Sequence, residues 1–420
     1  MIVRARIVIA MDGPPIEDGA VRINGNRIIA VGKFSELKAG ASPYPLLEGE
    51  EKGEDAEESR EQIIDLGDQT LLPGLINAHC HLDYTCLRGK IPPQKSFADW
   101  IRRINAEKAK LSPADYVASI NEGFAEAKRF GTTTIANLTA FPELVAQIQD
   151  QIRTWWFAEL IDVRDVERVN EMVNCAVASL KSRENLGLAP HALFTASPTL
   201  FRRCDELARR DAILLTTHLA ESREEMSMFQ DGSGPLCEFM RQIGRDTSDC
   251  NGRTPLRKFV ERLREVSPPW IVAHLNELSE SDFDLLARST KKFHVVHCPR
   301  SHKYFEHSPF RFERLSALGF NICLGTDSLA SNDDLSLFTE MRAFQKKFPG
   351  VSPKEILSMV TANPARALDR QSVLGQIKPG ACADMIAIPI APRTGIFESV
   401  LSFEGVVPWT MIQGHICKLA

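Results

Sequence analysis

Two histidines separated by one residue are the first side chains of this sequence that could do chemistry. His79 and His81 lie in the run LLPGLINAHCHLDYTCLR, which covers Leu71–Arg88. A Pro-Gly turn precedes the apolar residues Leu75–Ala78, so the run predicts a strand. Residues two apart in a strand point to the same face, so both imidazoles point one way and Cys80 points the other. Two imidazoles on one face form half of a metal site, although two ordinary surface histidines would also fit this spacing.

Three later strands are also predicted to end in residues that could bind a metal or move a proton. The sequence reads Thr-His-Leu-Ala-Glu at 217–221, Ala-His at 273–274 and Gly-Thr-Asp-Ser at 325–328. A lone histidine at a strand end is more often structural, but four ends bearing histidine or aspartate on one face indicate a shared site. Three neutral imidazoles and one carboxylate suit one divalent ion, Zn²⁺ with Fe²⁺ as a substitute. The predicted ligands are His79, His81, His218 and Asp327.

The same strand ends supply candidates for proton transfer. Glu221 lies three residues after His218 and is predicted to shuttle protons as a general acid and base. His274 is predicted to polarise the electrophile or to stabilise an oxyanion, and Asp327 to take a proton from the attacking water. Glu221 also has a simpler interpretation, as a solvated carboxylate at the head of the polar helix that continues with Ser-Arg-Glu-Glu.

Short apolar strands that alternate with amphipathic helical segments must position these residues. Eight βα repeats in about 290 residues predict an α/β fold, a (β/α)₈ TIM-type barrel, whose active sites lie at the carboxyl ends of the strands. The clearest helical periodicity lies in 114–130, 166–180, 257–266 and 335–347. The predicted strands are Leu75–Leu82, Thr132–Leu138, Thr154–Ile161, Leu188–Phe194, Ile213–Leu219, Trp270–Leu275, Phe293–Cys298 and Asn321–Gly325.

Both ends of the chain have β character and are too short to form cores of their own. Val21–Asn24 and Arg27–Val31 flank a Gly-Asn pair, which predicts a hairpin with a two-residue turn. Residues 1–70 and 371–420 are therefore predicted to build one small β-sandwich domain, and residues 71–370 the (β/α)₈ barrel that carries the metal site. Two insertions stand out: Gly232–Thr254 is predicted to form a loop over the barrel mouth, and the acidic segment Glu48–Glu61 a mobile loop without an assigned role.

Composition excludes several classes of partner. The 420 residues contain 50 basic and 55 acidic side chains, a net charge of −5, which does not fit a nucleic-acid surface. No apolar run reaches the length of a membrane span, and the N-terminus is not a signal peptide. The ten cysteines are scattered, without a Cys-x-x-Cys pair, as is typical of reduced thiols. We expect a cytoplasmic protein with a small-molecule substrate, no nucleic-acid or membrane partner, and a monomer or homo-oligomer.

Six motifs lie along the chain: PGLINAHCHLD, THLAES, AHLNE, HCPRSH, LGTDSLASN and KPGACADMIAI. In combination they resemble the amidohydrolase superfamily. The branch is the metal-dependent deaminase and chlorohydrolase branch, which holds S-adenosylhomocysteine/methylthioadenosine, aminodeoxyfutalosine and guanine deaminases and s-triazine hydrolases. The resemblance covers nearly the whole chain. It implies a (β/α)₈ barrel with an appended β-sandwich and the roles assigned above.

The number of metal ions is predicted from the positions of the lysine residues. Binuclear relatives, similar to dihydroorotase, bridge two metals with a carboxylated lysine at the end of strand four. Between residues 151 and 217 the only lysine is Lys181, in a charged segment before that strand. A single metal is therefore predicted. The signature of the cytidine-type zinc deaminases and the Walker, dinucleotide-binding and His-Glu-x-x-His motifs are absent.

Substrate contacts are predicted from the same resemblance. His191 matches a histidine that contacts the purine ring in nucleoside-type relatives. Trp100 and Glu107 follow strand one, where similar deaminases offer a tryptophan wall and a carboxylate to the ribose hydroxyls. Helix packing and a surface charge are the simpler interpretations of these two residues. Arg88 and Arg300 are weaker candidates for binding an anion.

Three functions stay open at this point. The first is an aminohydrolase that deaminates a nitrogen heterocycle, with an adenosine-type nucleoside such as methylthioadenosine, S-adenosylhomocysteine or aminodeoxyfutalosine ahead of guanine or a pterin. The second is a chlorohydrolase or cyclic-amide hydrolase of the same superfamily. The third is a non-catalytic, metal-stabilised binding protein, which the presence of both Glu221 and His274 disfavours. His302 stands where relatives more often have asparagine, so no single relative's substrate can simply be copied.

Overall fold

The structure, a computed structural model, describes residues 1–38, 61–163, 165–250, 252–263, 269–290, 292–391 and 394–417. The acidic segment predicted as a loop lies outside the described residues, except for Glu61. The chain divides into two compact units. One contains Met1–Ile76, Arg129–Thr133 and Gln345–Ala420, and the other contains Asn77–Lys128 and Thr134–Phe344. The domain limits given above, after residues 70 and 370, stay a prediction.

The strands fall into two sheets, one in chain order and one that mixes the two ends of the chain. In chain order the strands are β1 (Ile2–Val8), β2 (Ile16–Asn24), β3 (Arg27–Lys33), β4 (Ile63–Asp65), β5 (Gln69–Pro73), β6 (Leu75–Cys80), β7 (Thr132–Thr139), β8 (Arg153–Leu160), β9 (Leu186–Pro190), β10 (Leu214–Leu219), β11 (Trp270–His274), β12 (His294–His297), β13 (Asn321–Leu324), β14 (Met385–Pro389), β15 (Trp409–Ile412) and β16 (His415–Cys417).

Helices follow most of the barrel strands. They are α1 (Phe34–Lys38), α2 (Phe97–Lys108), α3 (Pro113–Arg129), α4 (Val169–Leu180), α5 (Pro198–Asp211), α6 (Arg223–Asp231), α7 (Pro235–Gln242), α8 (Pro255–Arg262), α9 (Glu280–Arg288), α10 (Pro299–Tyr304), α11 (Phe312–Ala317), α12 (Leu337–Lys347), α13 (Pro353–Ser358), α14 (Ala362–Ala367) and α15 (Ile396–Ser402). Short 3₁₀ turns cover Leu82–Leu87, Pro142–Gln147 and Val166–Arg168. Among the described residues, none of these helices is long and apolar enough to cross a membrane.

The mixed sheet confirms that both ends of the chain build one small β unit. Its order is β16-β15-β14-β5-β1-β2-β3, with β4 beside β1. The predicted hairpin joins β2 to β3, where Asn24 pairs with Arg27 and Gly25 has a φ of 54°. Glycine adopts this left-handed conformation without steric cost. Apolar residues from both termini, such as Val3 and Met411, share one buried cluster.

Strands β6 to β13 form the second sheet, which confirms the predicted (β/α)₈ barrel. Every residue of β6 and β7 is buried, as expected for parallel strands that are covered on both faces. The last strand meets the first at their carboxyl ends, where the backbone amides of Thr326 and Asp327 donate to the carbonyl of His79. Gly325 permits this approach, because a Cβ atom there would lie 2.7 Å from that carbonyl oxygen. The closure brings the first and eighth strand ends together.

Two local predictions are wrong. The fourth barrel strand ends at Pro190 rather than at Phe194, because the carbonyl of Ala192 accepts hydrogen bonds from the amides of Thr195 and Ala196 and turns the chain. The insertion 232–254 is not a plain loop, since it contains α7. Apolar residues at helical spacing in α7 are buried. This periodicity is short and is flanked by residues rich in Gly, Asp and Ser, so the composition of the whole segment indicated a loop.

Candidate active site

The four predicted metal ligands lie together at the carboxyl ends of the barrel strands. His81 Nε2 is 3.2 Å from His218 Nε2, and Asp327 Oδ1 is 3.8 Å from His79 Nε2 and 3.9 Å from His81 Nε2. One set of three, His79, His81 and Asp327, offers ligand atoms within 4.8 Å of one another, and two further sets combine two of the histidines with His274 or with Glu159. Both ring nitrogens of His79 are buried without a hydrogen-bond partner among the described residues. Orphaned nitrogens beside a carboxylate fit a metal ion, and we call the four residues the His–Asp cluster.

Neighbouring groups hold the ligands in a binding orientation. The Nδ1 atom of His218 lies 3.0 Å from the carbonyl oxygen of His191, which leaves Nε2 free for a ligand bond. Ser301 Oγ donates to Asp327 Oδ2 at 2.7 Å, and the amide of Ser328 donates to Oδ1 at 2.8 Å. His218 and Asp327 are therefore oriented by their own surroundings. Sequence reasoning did not single out Ser301, although it lies within the HCPRSH motif.

Burial keeps the histidines neutral. It lowers the pKa of His79 and of His81 well below the ordinary value, and neighbouring imidazoles lower both further. The pKa of His218 is also lowered by burial, against the opposing effect of Glu159. Neutral imidazole is the form that ligates metals, so the electrostatics agree with the geometry.

Glu221 and His274 lie side by side next to the cluster. Glu221 Oε1 is 3.7 Å from His274 Nε2, and the Glu221 side chain is 9% exposed, which excludes a solvated surface carboxylate. Burial raises the pKa of Glu221 to about 8, and His218 opposes the shift. The backbone amide of Glu221 donates a hydrogen bond to the carboxylate of Glu225, and the side chain of Asn276 donates one to the backbone carbonyl of Glu221. A fixed backbone and a buried carboxyl suit a group that gives and takes protons.

A left-handed backbone conformation occurs at three of these strand ends. Ala220, His274 and Asp327 have φ values of 49°, 74° and 57°, a left-handed region that non-glycine residues rarely adopt. Hydrogen bonds hold these turns: the amide of Leu275 donates to Leu219, and that of Asn276 donates to Ala220. Conformations of this kind cluster at functional sites, where surrounding structure maintains them.

A cavity of about 350 Å³ opens onto these groups. Of the predicted site residues, seven line it: His81, Trp100, His191, His218, Glu221, His274 and Asp327. Trp100 lies in α2, whose first two amides donate to the carboxylate of Glu224. Its ring packs edge-on against Phe305 at 4.9 Å between centroids. The structure thus brings the predicted catalytic and aromatic residues to one cavity.

Four other residues considered from the sequence do not line this cavity. Glu107 forms ion pairs with Arg103 at 2.8 Å and with Lys110 at 2.9 Å, so its predicted contact with substrate stays a prediction that the structure does not support. Arg88 pairs with Glu126, and Arg300 pairs with Asp333 and Asp334, so neither guanidinium faces the cavity as an anion contact. His302 bonds to the carbonyl of Ser308 instead.

Several polar residues that sequence reasoning missed also line the cavity. We call Tyr84, Lys108 and Glu159 the polar subsite. The Tyr84 hydroxyl and Glu159 Oε1 are buried without hydrogen-bond partners among the described residues. The Lys108 ammonium lies 4.6 Å from the centre of the Tyr84 ring. Burial raises the pKa of Glu159 and lowers that of Lys108, and each charge opposes the shift of the other.

Comparison with known proteins shows the family to which the chain belongs. The sequence profile of the Amidohydrolase family matches residues 70–417, and the chain belongs to that family. It is 28% identical over 409 residues to the 5-methylthioadenosine/S-adenosylhomocysteine deaminase of Nitratidesulfovibrio vulgaris, an alignment that covers 93% of this chain and 83% of the relative. It is 31% identical over 348 residues to the 5'-deoxyadenosine deaminase of Methanoregula boonei, an alignment that covers 78% of this chain and 73% of that relative.

Solved structures agree on the fold. An aminofutalosine deaminase from Helicobacter pylori, in complex with methylthio-coformycin, superposes with a TM-score of 0.85 at 19% identity, covering 99% of this chain and 100% of that one. A zinc-bound adenosine deaminase from Xanthomonas campestris gives a TM-score of 0.76 at 23% identity, covering 99% and 92%. At these identities the comparison establishes the barrel architecture alone.

Proposed function

We propose that the protein is a metal-dependent aminohydrolase that deaminates an adenosine-type nucleoside. The observation that carries the proposal is the pairing of Glu221 with His274, both buried and both lining a cavity beside the His–Asp cluster. This arrangement supplies a proton carrier, a polarising imidazole and a metal site at one place. The relatives that deaminate methylthioadenosine, S-adenosylhomocysteine or 5'-deoxyadenosine support the same reaction class.

Deamination requires addition of water at an amino-bearing ring carbon and loss of ammonia. A divalent ion in the His–Asp cluster would supply Lewis acidity and lower the pKa of a bound water toward neutrality. Glu221 donates a proton to the adjacent ring nitrogen and regains one from the attacking water. His274 steadies the oxygen that is added, and Asp327 accepts a hydrogen bond from it. The carbon–nitrogen bond then breaks, and the amino group receives the second water proton and leaves as ammonia.

The walls of the cavity suit a nucleoside better than a free base. The polar subsite contains one acid, one base and one hydroxyl, and this balanced set complements neutral hydroxyl groups more readily than an anion. Glu159, rather than Glu107, is the carboxylate that would accept hydrogen bonds from ribose. Phe239, Met240 and Ile243, in and just after α7, add an apolar surface to the cavity, which fits a thioether or deoxy substituent at the 5′ position.

The metal, compartment and assembly belong to the same proposal. Three imidazoles and one carboxylate favour Zn²⁺, with Fe²⁺ as the substitute. The described cysteines are all free thiols, which supports the cytoplasm as the compartment. A homo-oligomer remains an open alternative to a monomer.

Ammonia release from a substrate panel tests the proposal. The panel contains methylthioadenosine, S-adenosylhomocysteine, aminodeoxyfutalosine, guanine and a pterin, with a chlorinated triazine assayed for chloride. We expect kcat/KM for at least one nucleoside to exceed that for guanine and the pterin by about tenfold or more, because one or two hydrogen bonds to ribose are worth that much. A preference for guanine, the pterin or the triazine would refute the nucleoside assignment and leave the metal site untouched.

A further inference from the structure

A buried histidine outside the predicted site faces the carboxyl group of Glu221. His307 Nε2 lies 3.8 Å from Glu221 Oε1, and the His307 side chain is 5% exposed. This nitrogen has no hydrogen-bond partner among the described residues. Burial lowers the pKa of the ring to about 4, so the imidazole is neutral at physiological pH and can donate from one nitrogen.

The loop that carries His307 is fixed at several points. The amide of His307 donates to the carbonyl of His302, whose own ring nitrogen lies 2.9 Å from the carbonyl of Ser308. The carboxylate of Glu277 accepts a hydrogen bond from the amide of Ser308, and Arg223 donates a hydrogen bond to the hydroxyl of Ser308. Glu306 has a φ of 53°, a strained conformation for a non-glycine residue. The backbone is therefore held in an unfavourable form immediately before His307.

The ring approaches Glu221 from outside the substrate cavity. Glu221 lines the 350 Å³ cavity, whereas His307 lines a second cavity of about 250 Å³ and not the first. Phe305 stacks on the imidazole at 5.1 Å between centroids, and Phe97 lies at 6.2 Å. Within the described residues, His307 belongs to none of the groups that could hold a metal. Neither substrate contact nor metal binding explains its position.

We infer that His307 is a positioning residue that donates a hydrogen bond from Nε2 to Glu221 Oε1 and thereby aims the other carboxylate oxygen at the reacting ring nitrogen. The inference rests on the role proposed above for Glu221. A hydrogen bond forms when the two atoms approach to about 2.7–3.2 Å, a small rotation from the present separation. His274 faces the same carboxyl group, so the two imidazoles together would leave Glu221 a single orientation.

Two substitutions distinguish the effect of the hydrogen-bond donor of His307 from the effect of its aromatic packing. His307→Phe keeps the aromatic packing and removes the nitrogen, whereas His307→Gln places an amide N–H near the position of Nε2. We expect His307→Phe to lower kcat by about ten- to a hundredfold, the worth of a hydrogen bond to a charged group, with KM within about threefold of the parent. Metal content and thermal midpoint should stay near the parent values, and His307→Gln should recover kcat to within about fivefold.

A double-mutant cycle tests whether the effect passes through Glu221. In a Glu221→Gln background, His307→Phe should change kcat by less than about threefold, because the group that it positions is already lost. An equal loss in both backgrounds, or no loss in the single variant, would overturn the inference.

Crystal structures of the metal-loaded parent and of His307→Phe test the positioning of Glu221 independently of catalytic activity. The parent should show Nε2 within hydrogen-bond distance of Oε1, and the variant should show the Glu221 carboxyl in a different rotamer. An unchanged rotamer would overturn the inference. If no nucleoside is deaminated but the rotamer changes, the proposed function fails and the positioning role stands.

Discussion

His81, His218 and Asp327 of the His–Asp cluster line the same cavity as the polar subsite, but the two regions differ in which side chains are held by hydrogen bonds. In the cluster, Ser301 and Ser328 hold Asp327, and a backbone carbonyl holds His218. In the subsite, the hydroxyl of Tyr84 and the Oε1 atom of Glu159 have no hydrogen-bond partner among the described residues, and that Oε1 atom lies 3.8 Å from His81 Nδ1. Asp327 and His218 are therefore oriented before any ligand arrives. The subsite is completed only by a ligand, since buried polar groups without partners cost free energy.

This difference predicts that substitutions beside the His–Asp cluster mainly change kcat, and that substitutions in the polar subsite mainly change KM. Glu221→Gln keeps the size of the side chain and removes the proton carrier beside the cluster. We expect kcat to fall by about two to four orders of magnitude, with metal content and thermal midpoint near the parent values. Steady-state ammonia release, elemental analysis and calorimetry provide the three measurements. Near-normal kcat would show that Glu221 has no part in the reaction and would remove the distinction between the two regions.

A smaller effect is expected at the subsite. Glu159→Gln should raise KM for the preferred nucleoside by about tenfold and change kcat less, because it weakens hydrogen bonds that are present in both ground and transition states. Glu107→Gln is the matched control: its carboxylate pairs with Arg103 and Lys110 outside the cavity, and KM should stay unchanged. The reverse pattern, with KM raised only by Glu107→Gln, would restore the contact predicted from the sequence.

The two regions also differ in how far the sequence predicts them. Alternation along a strand places His79 and His81 on one face, and the barrel brings the strand ends together, so the cluster follows from local pattern and fold. Glu159 carries the same kind of signal, as a charged residue near the end of the apolar strand Arg153–Leu160. A single carboxylate near the end of a strand also fits a structural role, so the sequence alone does not single out Glu159.

Other parts of the site depend on tertiary packing that no local pattern shows. In α2, Trp100 and Lys108 face the cavity two turns apart, whereas the carboxylate of Glu107 pairs with helix neighbours outside it. Choosing between adjacent residues 107 and 108 requires the rotation of the helix against the barrel. His307 lies in an irregular segment after α10, where periodicity gives no guidance. Its approach to Glu221 depends on a loop fixed by contacts with distant residues.

The central claim is that one metal ion in the His–Asp cluster is required for the reaction. Metal-free protein titrated with Zn²⁺ should show ammonia release that rises linearly and reaches its plateau at one ion per chain. Asp327→Ala, which lacks one ligand, should bind Zn²⁺ more weakly and stay inactive at the same ratio. A plateau at two ions per chain, or full activity in the metal-free protein, would contradict the account.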